Sequence, residues 1–191
     1  MGILTEEAER SVVNRAKKGD RDAMKQIYDC YSRYLAATCS RFLSDGDALK
    51  DVLQDSFVKI FTSIGSFDYR GQGSLKAWMR QIAVNEVLKL LRKRRRGDTV
   101  DYTRELPDTV EDEVDEKNVA EIPAPVIQNM IKSLPEGYRT VLNLYVFEEK
   151  SHREIASLLG IAENTSASQL HRARALLARQ ITEYKKNIAK G

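Results

Sequence analysis

Between Ser151 and Arg179 the chain gathers side chains able to meet a nucleic acid. Asn164, Ser168, His171 and Arg172 supply an amide, a hydroxyl, an imidazole and a guanidinium, the groups that hydrogen-bond base edges and phosphates in a major groove. Their spacing places them on one side of a helix, opposite a stripe of Leu170, Ala173 and Leu177 that suits burial. Upstream, Ser151 and Glu154 stand at capping-box spacing, so each side chain can satisfy an orphan amide at a helix start. Ile155, Ala156, Leu158 and Leu159 give that helix an apolar face, and Gly160 permits the left-handed turn that lets a second helix cross the first. The pattern predicts a helix-turn-helix. Capped hairpins with a merely solvated polar face also occur, but here Arg172, Arg174 and Arg179 continue the second helix with the cations a phosphate backbone requires.

Two further groupings lie in the first half. Asp51, Gln54 and Asp55 cluster away from an apolar stripe of Leu49, Val52, Leu53, Phe57, Ile60, Phe61 and Ile64, making an acidic, amide-bearing patch suited to a basic protein surface. Gln81, Asn85, Lys89, Arg92 and Arg96 form a polar and basic stripe beside Leu75, Met79, Ile82, Ala83 and Leu90. Trp78 borders both stripes and reads as core, while Glu86 interrupts the apolar one without a sequence-level reason. Between these helices, Ser66 to Gly73 forms a loop, flexible by composition, that carries Phe67, Tyr69 and Arg70. Phe67 reads equally as a base-stacking ring or a core plug.

The elements that position these groups are helical throughout. A helix capped by Asp20 carries Met24, Ile27, Tyr28, Tyr31, Leu35, Thr38 and Phe42 at helical spacing. A second follows the Ser44-Asp45-Gly46 turn and exits near Gly65. A third follows Gly71-Gln72-Gly73 with Ser74 as its cap. Near the other end, Val126, Ile127, Met130 and Ile131 mark one helix and Tyr138, Val141, Leu142, Tyr145 and Val146 another, with Pro135 in its first turn. The fold class is all-α: two small helical domains, 1–96 and 125–191, joined by a linker at 97–124.

Charge supports that division. From Asp98 to Glu121 ten acids stand against two bases, a net −8 in a chain of net +3, so the remainder carries +11. An acidic strip between basic halves fits two polyanion-binding modules joined by a segment that avoids the same polyanion. The N-terminus has no basic start and no long apolar run, which argues for a cytoplasmic protein without membrane insertion. Cys30 and Cys39 fall in one helix about 13 Å apart, too far to bridge. With two histidines and no ligand cluster, neither a zinc site nor any other cofactor is expected. The linker carboxylates lack a metal-loop pattern or a partnered base, so the chain does not read as an enzyme.

Three blocks in order resemble the extracytoplasmic-function sigma factors of bacteria. Asp51-Val52-Leu53-Gln54-Asp55-Ser56-Phe57 resembles that family's polymerase-binding helix. Gly73 to Asn85, with the basic end at Arg96, is similar to its minus-10 recognition helix. Leu134 to Arg174 is similar to its minus-35 helix-turn-helix. The resemblance implies that Asp51, Gln54 and Asp55 contact core RNA polymerase. It implies that Phe67 and Tyr69 help capture a flipped base and that Gln81, Asn85, Lys89, Arg92 and Arg96 hold minus-10 DNA. It adds Arg153, Thr165 and Gln169 to Asn164, Ser168, His171 and Arg172 as minus-35 contacts. The implied partners are core polymerase, promoter DNA and an anti-sigma protein, with the linker crossing the polymerase interior. The chain departs from the family pattern at Lys89, where an acid is common, at Ala162, where a capping Ser is common, and at Ser166 and Ala167.

Overall fold

Short polar side chains begin the first helices. The computed structural model describes residues 4–97 and 122–188, with their side chains except those of 95–97. Its helices are α1 (Glu6–Lys17), α2 (Arg21–Ser40), α3 (Gly46–Ser63), a 3-10 turn (Ile64–Ser66) and α4 (Ser74–Gly97), then α5 (Ala124–Ser133), α6 (Glu136–Val146), α7 (His152–Leu159) and α8 (Glu163–Ile188). All regular structure among the described residues is helical, as the periodicity predicts. The acidic strip from Asp98 to Glu121 lies outside the described residues.

Thr5, Asp20 and Asp45 cap α1, α2 and α3 by accepting from amides of the first turn, a contribution of roughly 1 kcal/mol each. Asp45 also accepts from Arg94 at 3.2 Å, which ties the basic end of α4 to the start of α3. The start of α4 differs from expectation. Ala77 donates to the Gly73 carbonyl, so Gly73 holds the cap position. With Gly73 turning the chain at a φ of 85°, Ser74 is already helical. Its hydroxyl instead accepts from the Arg70 amide and donates to the Gly71 carbonyl, closing the loop before the helix. Pro135 likewise caps α6 rather than entering its first turn.

The described residues fall into two compact units, divided after Arg94. In the first, Val13, Ile27, Leu35, Phe42, Ile60, Leu75 and Met79 are fully enclosed. In the second, Val141, Leu144, Ile155 and Ala173 fill the corresponding role, and the buried Arg139 donates to the carbonyls of Lys132 and Leu134, satisfying the end of α5.

Glu86, the acid on the apolar stripe, is 7% exposed and accepts from Lys59 of α3 at 2.9 Å and from Lys89 at 3.3 Å. Burial pushes its carboxyl up, but the two ammonium groups outweigh that and hold it below the ordinary glutamate value. Its stabilising effect is therefore complete above about pH 4.5 and is lost as pH falls through the lower folded-state value. Glu86→Gln should lower stability at neutral pH by about 1–3 kcal/mol and flatten the acid decline. Urea melts at neutral and acid pH measure both effects.

Candidate nucleic-acid and protein interfaces

The helix-turn-helix forms as its sequence requires. Ser151 Oγ accepts from the Glu154 amide at 3.3 Å while Glu154 Oε2 accepts from the Ser151 amide at 2.9 Å. The Ser151 amide and, at 2.8 Å, the Ser151 hydroxyl donate to Oε2 and hold the Glu154 carboxyl below its ordinary value. Gly160 adopts a left-handed φ of 65° and donates to the Ala156 carbonyl, which ends α7 and turns the chain toward α8. A further lock joins the two helices: His152 Nδ1 lies 3.0 Å from Ser166 Oγ. The His152 ring stacks on Tyr145 at 4.9 Å, and the Arg174 guanidinium sits 5.6 Å over the same Tyr145 ring. Ser166 is fully buried, with its hydroxyl held in this lock.

On α8, Asn164, Ser168 and His171 are exposed on one face, with Thr165 and Arg172 half-buried beside them. Arg153 is exposed on α7. Gln169 does not join them. It is 2% exposed, because five residues on from Asn164, at about 100° per residue, a side chain points roughly 140° away. It packs instead on the side of Leu170 and Ala173.

In the first unit, Asp51, Gln54 and Asp55 are all exposed on α3. Sequence reading missed their neighbour Val58, which is 58% exposed and continues their face at helical spacing. An apolar side chain amid polar ones has the make-up of a protein contact with a dry centre and a charged rim. Next to the stripe on α4, Gln81 donates to Asn85 Oδ1 at 3.1 Å, an arrangement that leaves the Asn85 amino group free to donate outward. Lys89 is exposed yet paired with Glu86, Arg92 is exposed, and the Arg96 side chain lies outside those described.

The family models for Sigma-70 region 2 and Sigma-70 region 4 match residues 27–97 and 126–177. An RNA polymerase sigma-H factor of Pseudomonas aeruginosa is 31% identical over 182 residues, covering 90% of this chain and 93% of that protein. The ECF RNA polymerase sigma factor SigW of Bacillus subtilis is 30% identical over 184 residues, covering 90% and 95%. The chain belongs to the extracytoplasmic-function sigma factors. A solved structure of the sigma factor RpoE with the anti-sigma factor NepR from Bartonella quintana is similar at a TM-score of 0.47 and 23% identity, covering 83% of this chain and 96% of that one. As a sigma factor the chain is a transcription initiation factor, and among its described residues no helix is long and apolar enough to cross a membrane.

The loop of this sigma factor departs from expectation in two ways. Phe67 is 6% exposed, with its ring 4.8 Å from Trp78 and edge-on to Tyr69. Of the two roles open to it, the structure gives the core plug. Nor is the loop left loose. Tyr69 is half-buried, and its one hydroxyl proton is shared between the Glu6 carbonyl at 3.1 Å and Glu9 at 3.3 Å. Sequence composition could not show this, because the partners lie some 60 residues upstream.

Proposed function

We propose that this sigma factor directs core RNA polymerase to promoters by reading duplex minus-35 DNA with one domain and holding the opened minus-10 strand with the other. The domains are 1–96 and 125–191, joined by the acidic linker 97–124. The observation that carries this reading is a pair of amide-bearing helix faces, one on α4 with Gln81 exposed and Asn85 half-buried beside it, the other on α8 with Asn164 and Ser168 exposed, one in each unit of a chain that matches both sigma regions. Asn164, Ser168 and His171, flanked by Thr165, Arg172 and Arg153, meet the major groove. Asn85 and Gln81 meet unpaired bases, while Lys89, Arg92 and Arg96 follow the phosphates. Asp51, Gln54 and Asp55, with Val58 continuing their face, dock on the basic clamp of polymerase, which supplies the catalytic chemistry. The factor works in the cytoplasm, where an anti-sigma protein covering the α3 face would hold it inactive.

Substitutions on α8 test the reading of the duplex. Asn164→Ala and Ser168→Ala should change which minus-35 sequence is preferred, since each base-edge contact carries about 1–3 kcal/mol of discrimination. Arg172→Ala should weaken all sites alike and reduce the logarithmic salt slope by roughly 0.9. Binding to a library of minus-35 variants at several salt concentrations separates these outcomes. Uniform loss with unchanged preference in all three variants would remove α8 as the reader.

A further inference from the structure

Glu9 is a carboxylate where a core residue belongs. It is 2% exposed on α1, and its partners come from two other parts of the first unit. Tyr31 of α2 donates to Oε1 at 2.7 Å, while Tyr69 and the Gly73 amide of the 67–73 loop donate to Oε2 at 3.3 and 3.0 Å. Every partner is a donor, so both oxygens act as acceptors, a demand that a carboxylate meets and an amide meets on one atom only. Burial, reinforced by Glu9, holds the Tyr31 phenol above its ordinary value and keeps it a donor. Beside these bonds Gln72 donates to the Leu4 carbonyl at 3.1 Å, and the Glu6 carbonyl shares the Tyr69 proton with Glu9.

The result is a loop whose backbone is fixed before any ligand arrives. Phe67 anchors one end against Trp78, Ser74 closes the other, and Glu9 grips the middle. Asp68 and Arg70 remain exposed and pair with each other at 3.1 Å, offering an acceptor and donors at the rim. A loop that had to be ordered on binding would spend part of the interaction on that ordering.

We propose that Glu9 is a positioning residue for promoter opening, holding the 67–73 loop in the shape that receives an unpaired minus-10 base. The proposal rests on the minus-10 reading above and extends it, adding the exposed Asp68 and Arg70 of this loop to the Gln81 and Asn85 face. Glu9 touches no DNA in this scheme and acts through the loop. Its loss affects strand opening and leaves duplex minus-35 binding and polymerase binding unchanged.

The test uses the full chain with core polymerase and a promoter bearing a fluorescent base in the minus-10 element. Hydrogen exchange at the Gly73 amide is followed in the free protein. Glu9→Ala should reduce the opened fraction roughly tenfold, the factor carried by about one charge-assisted hydrogen bond. Glu9→Gln should do so less, and Tyr31→Phe, which loosens Glu9 without touching the loop, should act in the same direction. Gly73 exchange should quicken in each variant, and the opening defect should shrink on a template unpaired in advance. General destabilisation would instead lower duplex binding and opening together. If Glu9→Ala does not fold, the other two variants decide. Normal opening by folded variants whose Gly73 amide exchanges faster overturns the positioning role, and unchanged exchange overturns the clamp itself. If the wild-type chain opens no promoter, the minus-10 reading falls, and this proposal with it.

Discussion

Asn85→Ala is expected to reduce promoter opening by about tenfold or more, the equivalent of one base-edge contact of roughly 1–3 kcal/mol, with little change in duplex binding. Gln81 holds the Asn85 carbonyl oxygen at 3.1 Å, which fixes the side-chain amide and presents its amino group to a base. Removing the amide leaves α4 intact, because Ile82, Ala83, Val84 and Val87, not Asn85, supply its buried contacts. The helix-turn-helix is in the other unit and keeps its own affinity. Fluorescence from unpaired minus-10 bases, measured beside a binding assay at fixed salt, reads the two effects separately. A variant that opens normally would remove Asn85 from the site.

Reversing charge at Asp51 and Asp55 together should weaken binding to core polymerase by roughly a hundredfold, since like charges set against a basic surface cost several kcal/mol. Both side chains are exposed and are spaced on one face of α3, so the double variant should keep its helicity. Val58→Asp should give a comparable loss by placing a charge on the apolar member of the same face. Circular dichroism establishes the fold, and pull-down with core enzyme establishes the binding. Full binding by the folded double variant would show that polymerase docks elsewhere.

Much of the architecture was legible because the helices with long apolar stripes announce themselves. Ile27, Leu35, Val52, Ile60, Ile155 and Ala173 all occupy the buried faces that their periodicity implies, and the Ser151–Glu154 box and Gly160 turn appear as their residue types demand. The first helix, α1, was not legible. Its buried residues Val12, Val13 and Ala16 make a short stripe, and Glu9 occupies a core position as a charge, which breaks the pattern that marks a helix. Glu86 hides in the same way, its partner Lys59 lying 27 residues away. Charged groups satisfied across long sequence separations leave no local signature.

The site faces show a related limit. The resemblance offered Gln169 as a contact and residue type left Phe67 open between contact and core, but the rotation of Gln169 about α8 and the Trp78 ring beside Phe67 decide for burial. Rotation alone was enough to exclude Gln169 and to expose Val58. Phe67 needed the packed structure.

The central claim is that this one chain both brings core polymerase to a promoter and opens the minus-10 element. The most direct measurement combines purified chain, core polymerase and a promoter library, with permanganate used to detect unpaired thymines. The account predicts unpaired bases around minus 10 on a subset of promoters sharing a minus-35 sequence, dependent on both the chain and core. Promoters bound but never opened, with wild-type protein and active core present, would contradict it.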